Sequence, residues 1–244
     1  MKIDLNCDLG EEAGNDEAIM PYITSANIAC GFHAGNENVM RATVRLAKQH
    51  GVNIGAHPGW DDRENFGRLE MNVSAEDAEE IVYQQIEVLA QIVKEEGAKL
   101  THVKPHGAMY NQAAKDRVLA DAIVRAVKRI SAGLILVGLA GSGLCEAGAV
   151  GGIQVAGEGF PDRAYNPDGT LMSRSKAGAV IESPEEVAAN ALRLIQDGIL
   201  FGERVVYVET LCLHGDNPRA AENARILRDA MKKNGVTVQG FSRR

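Results

Sequence analysis

Aromatic residues are scarce in this chain of 244 residues, at 5% of the sequence with a single tryptophan. Hydrophobic residues nevertheless make up 45%, so the core must be built mainly from aliphatic side chains and alanine. This composition is typical of strands that are buried beneath helices. The length suits one large α/β unit, and no low-complexity linker divides it. We therefore expect a single domain, residues 1–244.

Basic residues are also too few to outnumber the acidic ones, and the net charge is −7. This argues against nucleic acid as a partner, because neutralising phosphates requires a clustered basic face. No apolar run approaches the roughly 20 residues that cross a bilayer, and the first residues are too polar for a signal peptide. The four cysteines form no Cys-x-x-Cys pair and favour a reducing compartment. These absences predict a cytoplasmic protein that binds neither nucleic acid nor membrane.

Histidine placement is the strongest positive signal. Four of the six histidines follow a short apolar run, at a turn that contains glycine or proline: His33, His57, His106 and His214. One such histidine is usually a hydrogen-bonded turn residue. Four at equivalent positions predict that at least two line one pocket, because the loops after parallel strands build the active sites of α/β barrels.

The first strand shows which of its faces is polar. Residues 2–8 alternate with a period of two, and in a barrel the apolar set would face the helices while the polar set, ending at Asp8, would point inward. Further strand-like runs follow at 26–30, 52–56, 100–104, 133–138, 152–156 and 205–213. Helical patterns lie between most of them, which indicates parallel βαβ units. Seven or eight units in this length favour a closed, TIM-like (β/α) barrel, although an open doubly wound sheet has the same periodicity.

Charged residues at the same strand ends can supply catalytic chemistry. Asp8 and Glu11 are candidate general bases. Lys104 can stabilise a developing oxyanion, or form a salt bridge to Asp4 or Asp8 inside the barrel. Arg163 can pair with a substrate carboxylate through two hydrogen bonds, or fix its own loop through a salt bridge to Asp162 or Glu158. Both alternatives stay open for Lys104 and for Arg163.

A metal site is a further hypothesis. Carboxylate and imidazole ligands are offered by Asp8, His33, His57 and His106. No His-x-x-x-His or His-Glu-x-x-His spacing occurs, so ligands would have to come from separate strands. A divalent metal such as Mg²⁺ therefore stays an open alternative, and no metal ligand is assigned.

Six segments, taken in order along the chain, resemble the LamB/YcsF family. They are residues 6–11, 26–35, 55–59, 103–108, 162–165 and 214–217. Their combination is far more specific than any one of them alone. The resemblance implies a seven-stranded (β/α) barrel related to the glycoside hydrolase/deacetylase superfamily. It also implies one component of an ATP-hydrolysing enzyme that converts 5-oxo-L-proline to L-glutamate with separate B and C subunits.

The resemblance also supplies a hypothesis for the roles of the residues. Asp8 or Glu11 would activate water, His57 or His106 would assist proton transfer, and Lys104 would neutralise developing negative charge. The expected substrate-binding residues are Asn6, His33, Arg163, His214 and Asp216. ATP is expected to act through the complex, because the glycine-rich segment 138–144 matches neither a dinucleotide fingerprint nor a P-loop. A homo-oligomer is left open.

Two places depart from the family pattern: Asn36, and the segment Trp60-Asp61-Asp62, which replaces a more usual Tyr-Pro-Asp. Asn36 stands where aspartate is usual, which removes a carboxylate from the second loop. If that acid were the general base, activity would be in doubt, whereas a helix cap is served equally well by asparagine. We favour the cap. Two rival functions remain: a metal-dependent, deacetylase-like amide hydrolase that acts alone, and a non-catalytic subunit that binds a lactam.

Overall fold

The computed structural model describes residues 1–201, 203–214 and 219–241, without the side chains of Phe201 and His214. The strands are β1 Lys2–Leu9, β2 Ser25–Ala29, β3 Asn53–His57, β4 Leu100–Val103, β5 Ile135–Leu139, β6 Gln154–Gly159, β7 Ile199–Phe201, β8 Arg204–Val206, β9 Thr210–His214 and β10 Thr237–Val238. The helices are α1 Asp16–Ile19, α2 Glu37–His50, α3 Ala75–Glu95, α4 Gly107–Ala113, α5 Arg117–Ile130, α6 Gly143–Val150, α7 Pro184–Asp197 and α8 Ala220–Lys233. None of these helices is long and apolar enough to span a bilayer.

Seven parallel strands close into a barrel in the order β1-β2-β3-β4-β5-β6-β9, and β9 pairs back with β1. The closing register places Asp4 opposite Thr210 and Asp8 opposite His214. Strand β10 lies beside the first residues of β1. The prediction of a closed seven-stranded barrel is therefore confirmed, and the open sheet is excluded. Closure brings the carboxyl ends of all seven strands to one rim.

The predicted strand 205–213 is wrong in one respect, because it is two strands in different sheets. β8 pairs antiparallel with β7 in a separate hairpin, and the barrel strand β9 begins only at Thr210. Val205 and Tyr207 are more than half exposed, at 52% and 65%. The run of β-branched residues gives a strong strand signal, but periodicity does not tell which sheet a strand joins.

Helix caps agree with the sequence patterns. The Asn36 side chain accepts a hydrogen bond from the Val39 amide at 3.2 Å at the start of α2. Ser74 and Ser183 cap α3 and α7 in the same way. Asparagine thus performs at position 36 the capping role that we favoured.

The barrel interior is polar and its groups are paired. On β1, Ile3, Leu5 and Cys7 belong to the apolar core, whereas Asp4 and Asn6 point inward. The Asp4 carboxylate accepts hydrogen bonds from three hydroxyl groups, those of Thr24, Ser25 and Thr210, at 2.6 to 2.9 Å. Burial nevertheless raises the pKa of Asp4 to about 6. This layer supports the functional residues above it.

Candidate active site at the barrel mouth

A cavity of about 500 Å³ opens at the carboxyl ends of the strands. Its floor includes Asp8, His57, Lys104 and His106, all of which were predicted as catalytic. The surrounding walls carry cationic side chains: Arg68, Lys115, Arg163, Arg174 and Lys176. Glu70 is the other acidic residue of the lining. A pocket with this surplus of cations suits an anionic ligand.

Lys104 lies between two buried carboxylates. Its Nζ is 2.9 Å from Asp8 Oδ1 and 2.9 Å from Glu158 Oε1, and the lysine side chain is only 3% exposed. Burial by itself lowers the pKa of the ammonium, but Asp8 first, and then Cys212 and Glu158, raise it well above its usual range. Lys104 is therefore a fixed cation. The salt bridge that we weighed for Lys104 exists, and it leaves Asp8 at the edge of the cavity.

The residue that holds Asp8 from the other side is Asn27. Its Nδ2 donates to Asp8 Oδ1 at 2.7 Å and to Asn6 Oδ1 at 2.7 Å. Asn6 in turn donates to Glu158 and Thr210 at 2.9 and 2.7 Å. Asn6 is thus engaged one layer below the cavity, and its assignment to substrate binding stays a prediction. The network keeps Asp8 in one orientation.

His57 and His106 meet at the inner wall of the mouth. His57 Nδ1 is 2.7 Å from the carbonyl oxygen of Lys104, and His106 Nε2 is 2.8 Å from that of Phe66. Carbonyl oxygen only accepts hydrogen bonds, so each of these ring nitrogens carries the hydrogen. In the neutral rings, His57 Nε2 and His106 Nδ1 consequently hold lone pairs. These two atoms face each other at 3.0 Å.

Glu11 and His33 complete this wall. Glu11 Oε1 lies 3.3 Å from His106 Nδ1, 3.5 Å from His33 Nε2 and 3.8 Å from His57 Nε2. The His33 ring stacks on His106 with 3.8 Å between centroids. Each of these four residues can place one ligand atom within 4.8 Å of the others. Compared with the metal hypothesis from sequence, Glu11 joins the three histidines and Asp8 stands beside them.

The charge state of this wall follows from its burial. Desolvation, reinforced by His57, lowers the pKa of His106 to about 3. Desolvation, followed by His106 and His57, lowers the pKa of His33 well below its usual range. Both rings are therefore neutral at physiological pH, with lone pairs available. A neutral imidazole can accept a proton or bind a metal ion.

Arg163 lines the cavity from the loop after β6. Its Nη2 donates to the Met172 carbonyl at 2.5 Å and its Nε to the Ala179 carbonyl at 3.3 Å. The guanidinium thus holds its own loop through two backbone carbonyls, whereas the loop-fixing role that we weighed was a salt bridge to Asp162 or Glu158. Binding of a substrate carboxylate by Arg163 stays a prediction.

Two of the predicted site residues are not described. Asp216 lies outside the described residues, as does the side chain of His214, although its backbone ends β9 beside Asp8. Two residues that we did not assign to the site lie in it. Glu158 is the second counterion of Lys104, and Tyr110 donates to it at 2.7 Å. The inward alternation of β6 could have indicated Glu158, whereas nothing in the sequence distinguishes Tyr110 from a core residue.

A family model, a curated relative and a solved structure all match this chain over nearly its whole length. The LamB/YcsF family model matches residues 3–244. The A subunit of 5-oxoprolinase from Pyrococcus furiosus is 48% identical over 98% of this chain and 97% of its own length. The crystal structure of a lactam utilization protein from Thermus thermophilus is 46% identical, covers 99% of this chain and 100% of its own, and superposes with a TM-score of 0.90.

A more distant structure bears on the fold alone. The catalytic domain of a peptidoglycan N-acetylglucosamine deacetylase from Eubacterium rectale is 11% identical and covers 99% of this chain and 88% of its own, with a TM-score of 0.53. The predicted deacetylase-type barrel is thereby confirmed. The family match over nearly the whole length, together with relatives of this identity, places the chain: it belongs to the LamB/YcsF family.

Proposed function

We propose that this chain is the ring-opening subunit of an ATP-dependent 5-oxoprolinase. The observation that carries the proposal is the cavity at the strand ends, which joins a held carboxylate, a buried cation and a cationic wall. Two relatives, a 5-oxoprolinase chain from Pyrococcus furiosus and a lactam utilization protein from Thermus thermophilus, support a lactam as the substrate. Separate B and C subunits would phosphorylate the lactam oxygen with ATP.

The chemistry requires such activation because a five-membered lactam is a stable amide. Transfer of the terminal phosphoryl group of ATP to the lactam oxygen releases ADP and makes the ring carbon electrophilic. One water then adds to this carbon, and the carbon–nitrogen bond breaks as nitrogen takes a proton. A second water releases phosphate from the resulting acyl phosphate and leaves glutamate. Two waters and one ATP are consumed for each lactam opened.

Asp8 is the residue placed to activate water in this scheme. Its Oδ1 is occupied by Lys104 and Asn27, while its Oδ2 faces His57 Nε2 at 3.4 Å on the cavity side. The Lys104 ammonium, 2.9 Å from Asp8 Oδ1, would also offset negative charge that develops on the substrate. The cationic walls would hold the carboxylate and phosphoryl groups of the activated lactam. Asp8, Lys104 and the cationic side chains all line the same cavity.

Glutamate release from 5-oxoproline tests this function. The chain is assayed with and without its B and C partners and with and without ATP, and we expect release only when all are present. The variant Asp8→Asn, mixed with intact partners, should lose at least about 100-fold in rate, as is typical of losing a general base. Lys104→Ala should lose activity as well, and circular dichroism checks that both variants are folded.

Asp61→Asn is the matched control, because Asp61 is an exposed carboxylate in the segment between β3 and α3. It should release glutamate at the normal rate. Normal rates from Asp8→Asn and Lys104→Ala would overturn the residue roles. No release from the complete mixture of wild-type chains would overturn the function itself. Release without ATP or partners would instead favour the solitary amide hydrolase.

A further inference from the structure

Four donor atoms converge at the inner wall of the mouth, and each comes from a different strand end. Glu11 follows β1, His33 follows β2, His57 ends β3 and His106 follows β4. We propose that Glu11 Oε1, His33 Nε2, His57 Nε2 and His106 Nδ1 bind one divalent transition-metal ion. This inference goes beyond the proposed ring opening and does not depend on it, because it concerns the donor set alone.

The fixed tautomers of His57 and His106 are the first argument. The outward nitrogen of each ring donates to a backbone carbonyl, at 2.7 Å for Lys104 and 2.8 Å for Phe66. Backbone carbonyl groups orient metal-binding histidines in the same way. The inward nitrogens then present two lone pairs to each other at 3.0 Å. Two lone pairs repel at that distance unless a cation lies between them.

The spacing of the donors is the second argument. Ligand bonds of about 2.0–2.1 Å in a tetrahedral site place neighbouring donors about 3.4 Å apart. The measured separations are 3.0 Å between the two histidines and 3.3, 3.5 and 3.8 Å from Glu11 Oε1 to His106, His33 and His57. These four separations are therefore close to the tetrahedral spacing, and all four residues offer ligand atoms that lie within 4.8 Å of one another.

His33 is the third argument. It is 0% exposed, and neither of its ring nitrogens has a hydrogen-bond partner among the described residues. Buried polar groups are rarely left in this state without a ligand. A single shared proton could bridge His57 and His106, but it would still leave His33 unsatisfied. A metal ion would engage one nitrogen of all three rings at once.

The surroundings keep this arrangement closed. A side chain at Gly67, whose φ is +63°, would place its Cβ 2.9 Å from His33 Cβ and 3.0 Å from His106 Cδ2. Glycine is thus needed for the loop to pack against both rings. The resulting wall has little room for the donor atoms to relax away from each other.

The donor set selects the class of metal. Three imidazoles and one carboxylate suit Zn²⁺, Co²⁺ or Ni²⁺, whereas Mg²⁺ prefers oxygen ligands and retained water. Ionised Glu11 would offset half of the charge of the ion, and Asp8 Oδ2 lies only 3.4 Å from His57 Nε2 as a second nearby carboxylate oxygen. A zinc-class ion is therefore the expected occupant.

Metal binding can be measured on the chain alone, without partners or lactam. After chelation and dialysis, the chain is titrated with Zn²⁺ and Co²⁺, and bound metal is counted by plasma mass spectrometry. We expect one ion per chain, with the intense visible absorption of four-coordinate Co²⁺. His33→Ala, His106→Ala and Glu11→Gln should each weaken binding at least about 100-fold, since each removes one ligand.

His50→Ala is the control, because His50 is an exposed histidine at the end of α2. It should bind metal as the wild-type chain does. Glu11→Gln preserves side-chain size, so it remains informative if a histidine variant does not fold. A folded wild-type chain that binds no Zn²⁺ or Co²⁺, or ligand variants that bind as tightly as His50→Ala, would overturn the proposal. Either result leaves the glutamate assay to judge the ring opening separately.

Discussion

His102 and His33 are both fully buried histidines of one barrel, yet their surroundings differ completely. His102 lies in the interior layer, where its two nitrogens are 2.8 Å from Thr101 Oγ1 and 2.8 Å from Asn27 Oδ1. Its ring fills the space left by Gly55, where a Cβ would come within 2.1 Å of Nε2. His33 lies at the mouth with neither nitrogen bonded among the described residues. The interior layer is complete in itself, whereas the mouth is arranged for a ligand.

The same contrast holds for charge. In the interior, Asp4 is matched by three hydroxyl groups. At the boundary between the two regions, Lys104 is matched by Asp8 and Glu158. Above it, the inward nitrogens of His57 and His106 face each other at 3.0 Å. The buried polar groups of the interior layer are thus hydrogen-bonded, whereas buried His33 at the mouth has no hydrogen-bond partner among the described residues. A buried polar group in that state points to a ligand.

The largest expected effect on the free energy of unfolding comes from removing Lys104, which lies between the interior layer and the mouth. Lys104→Met leaves Asp8 and Glu158 as buried carboxylates without their cation, and removing one partner of a buried ion pair costs about 3–5 kcal/mol. Urea unfolding measures this loss in the free energy of unfolding. The control Lys99→Met changes an exposed lysine and should stay within about 0.5 kcal/mol of wild type. A loss below about 1 kcal/mol for Lys104→Met would show that the carboxylates do not depend on it.

The interior histidine provides a pH test. Burial, assisted by Lys104, lowers the pKa of His102 to about 3, so the folded chain keeps the ring neutral. The unfolded chain binds a proton there below about pH 6.5. Stability from this group is thus present above pH 6.5 and is lost as the pH falls towards 3. Between pH 7.5 and 5.0, this contribution amounts to about 2 kcal/mol.

His102→Gln should remove that contribution and keep a hydrogen-bonding side chain in the layer. Urea unfolding at pH 7.5 and at pH 5.0 gives the loss of stability for each chain. We expect the wild-type chain to lose about 2 kcal/mol more than the variant over this interval. Equal losses would mean that folding does not suppress protonation of His102.

The sequence alone could predict which side chains point into the barrel and which lie at its mouth. Period-two alternation in β1 indicates which side chains point inward, and parallel strands bring their carboxyl ends to one rim, so Asp8, Lys104 and the histidines could be placed at the mouth. The partners across the barrel could not be predicted. Glu158 meets Lys104 because the curvature of the barrel brings together the inward side chains of β4 and β6, which flank β5. Which side chains meet inside a barrel cannot be seen in local sequence.

The smallest expected effect concerns Asn36. Its side chain caps α2 and lies outside the wall of donors, so Asn36→Asp should change the free energy of unfolding by less than about 0.5 kcal/mol. Asn36→Ala should cost about 1 kcal/mol because the cap is lost. Glutamate release by the complete mixture should be the same with Asn36→Asp as with wild type. A tenfold rise in rate would show that the missing acid belongs to the chemistry.

The proposed contrast between the hydrogen-bonded interior layer and the ligand-ready mouth depends most directly on which ring nitrogens of His57 and His106 carry hydrogen. Long-range hydrogen–nitrogen correlation spectra of the metal-free, ¹⁵N-labelled chain at neutral pH distinguish a ring nitrogen that carries hydrogen from one with a lone pair. The geometry predicts hydrogen on Nδ1 of His57 and on Nε2 of His106, with both inward nitrogens unprotonated. Hydrogen on either inward nitrogen would contradict a mouth that presents lone pairs to a ligand.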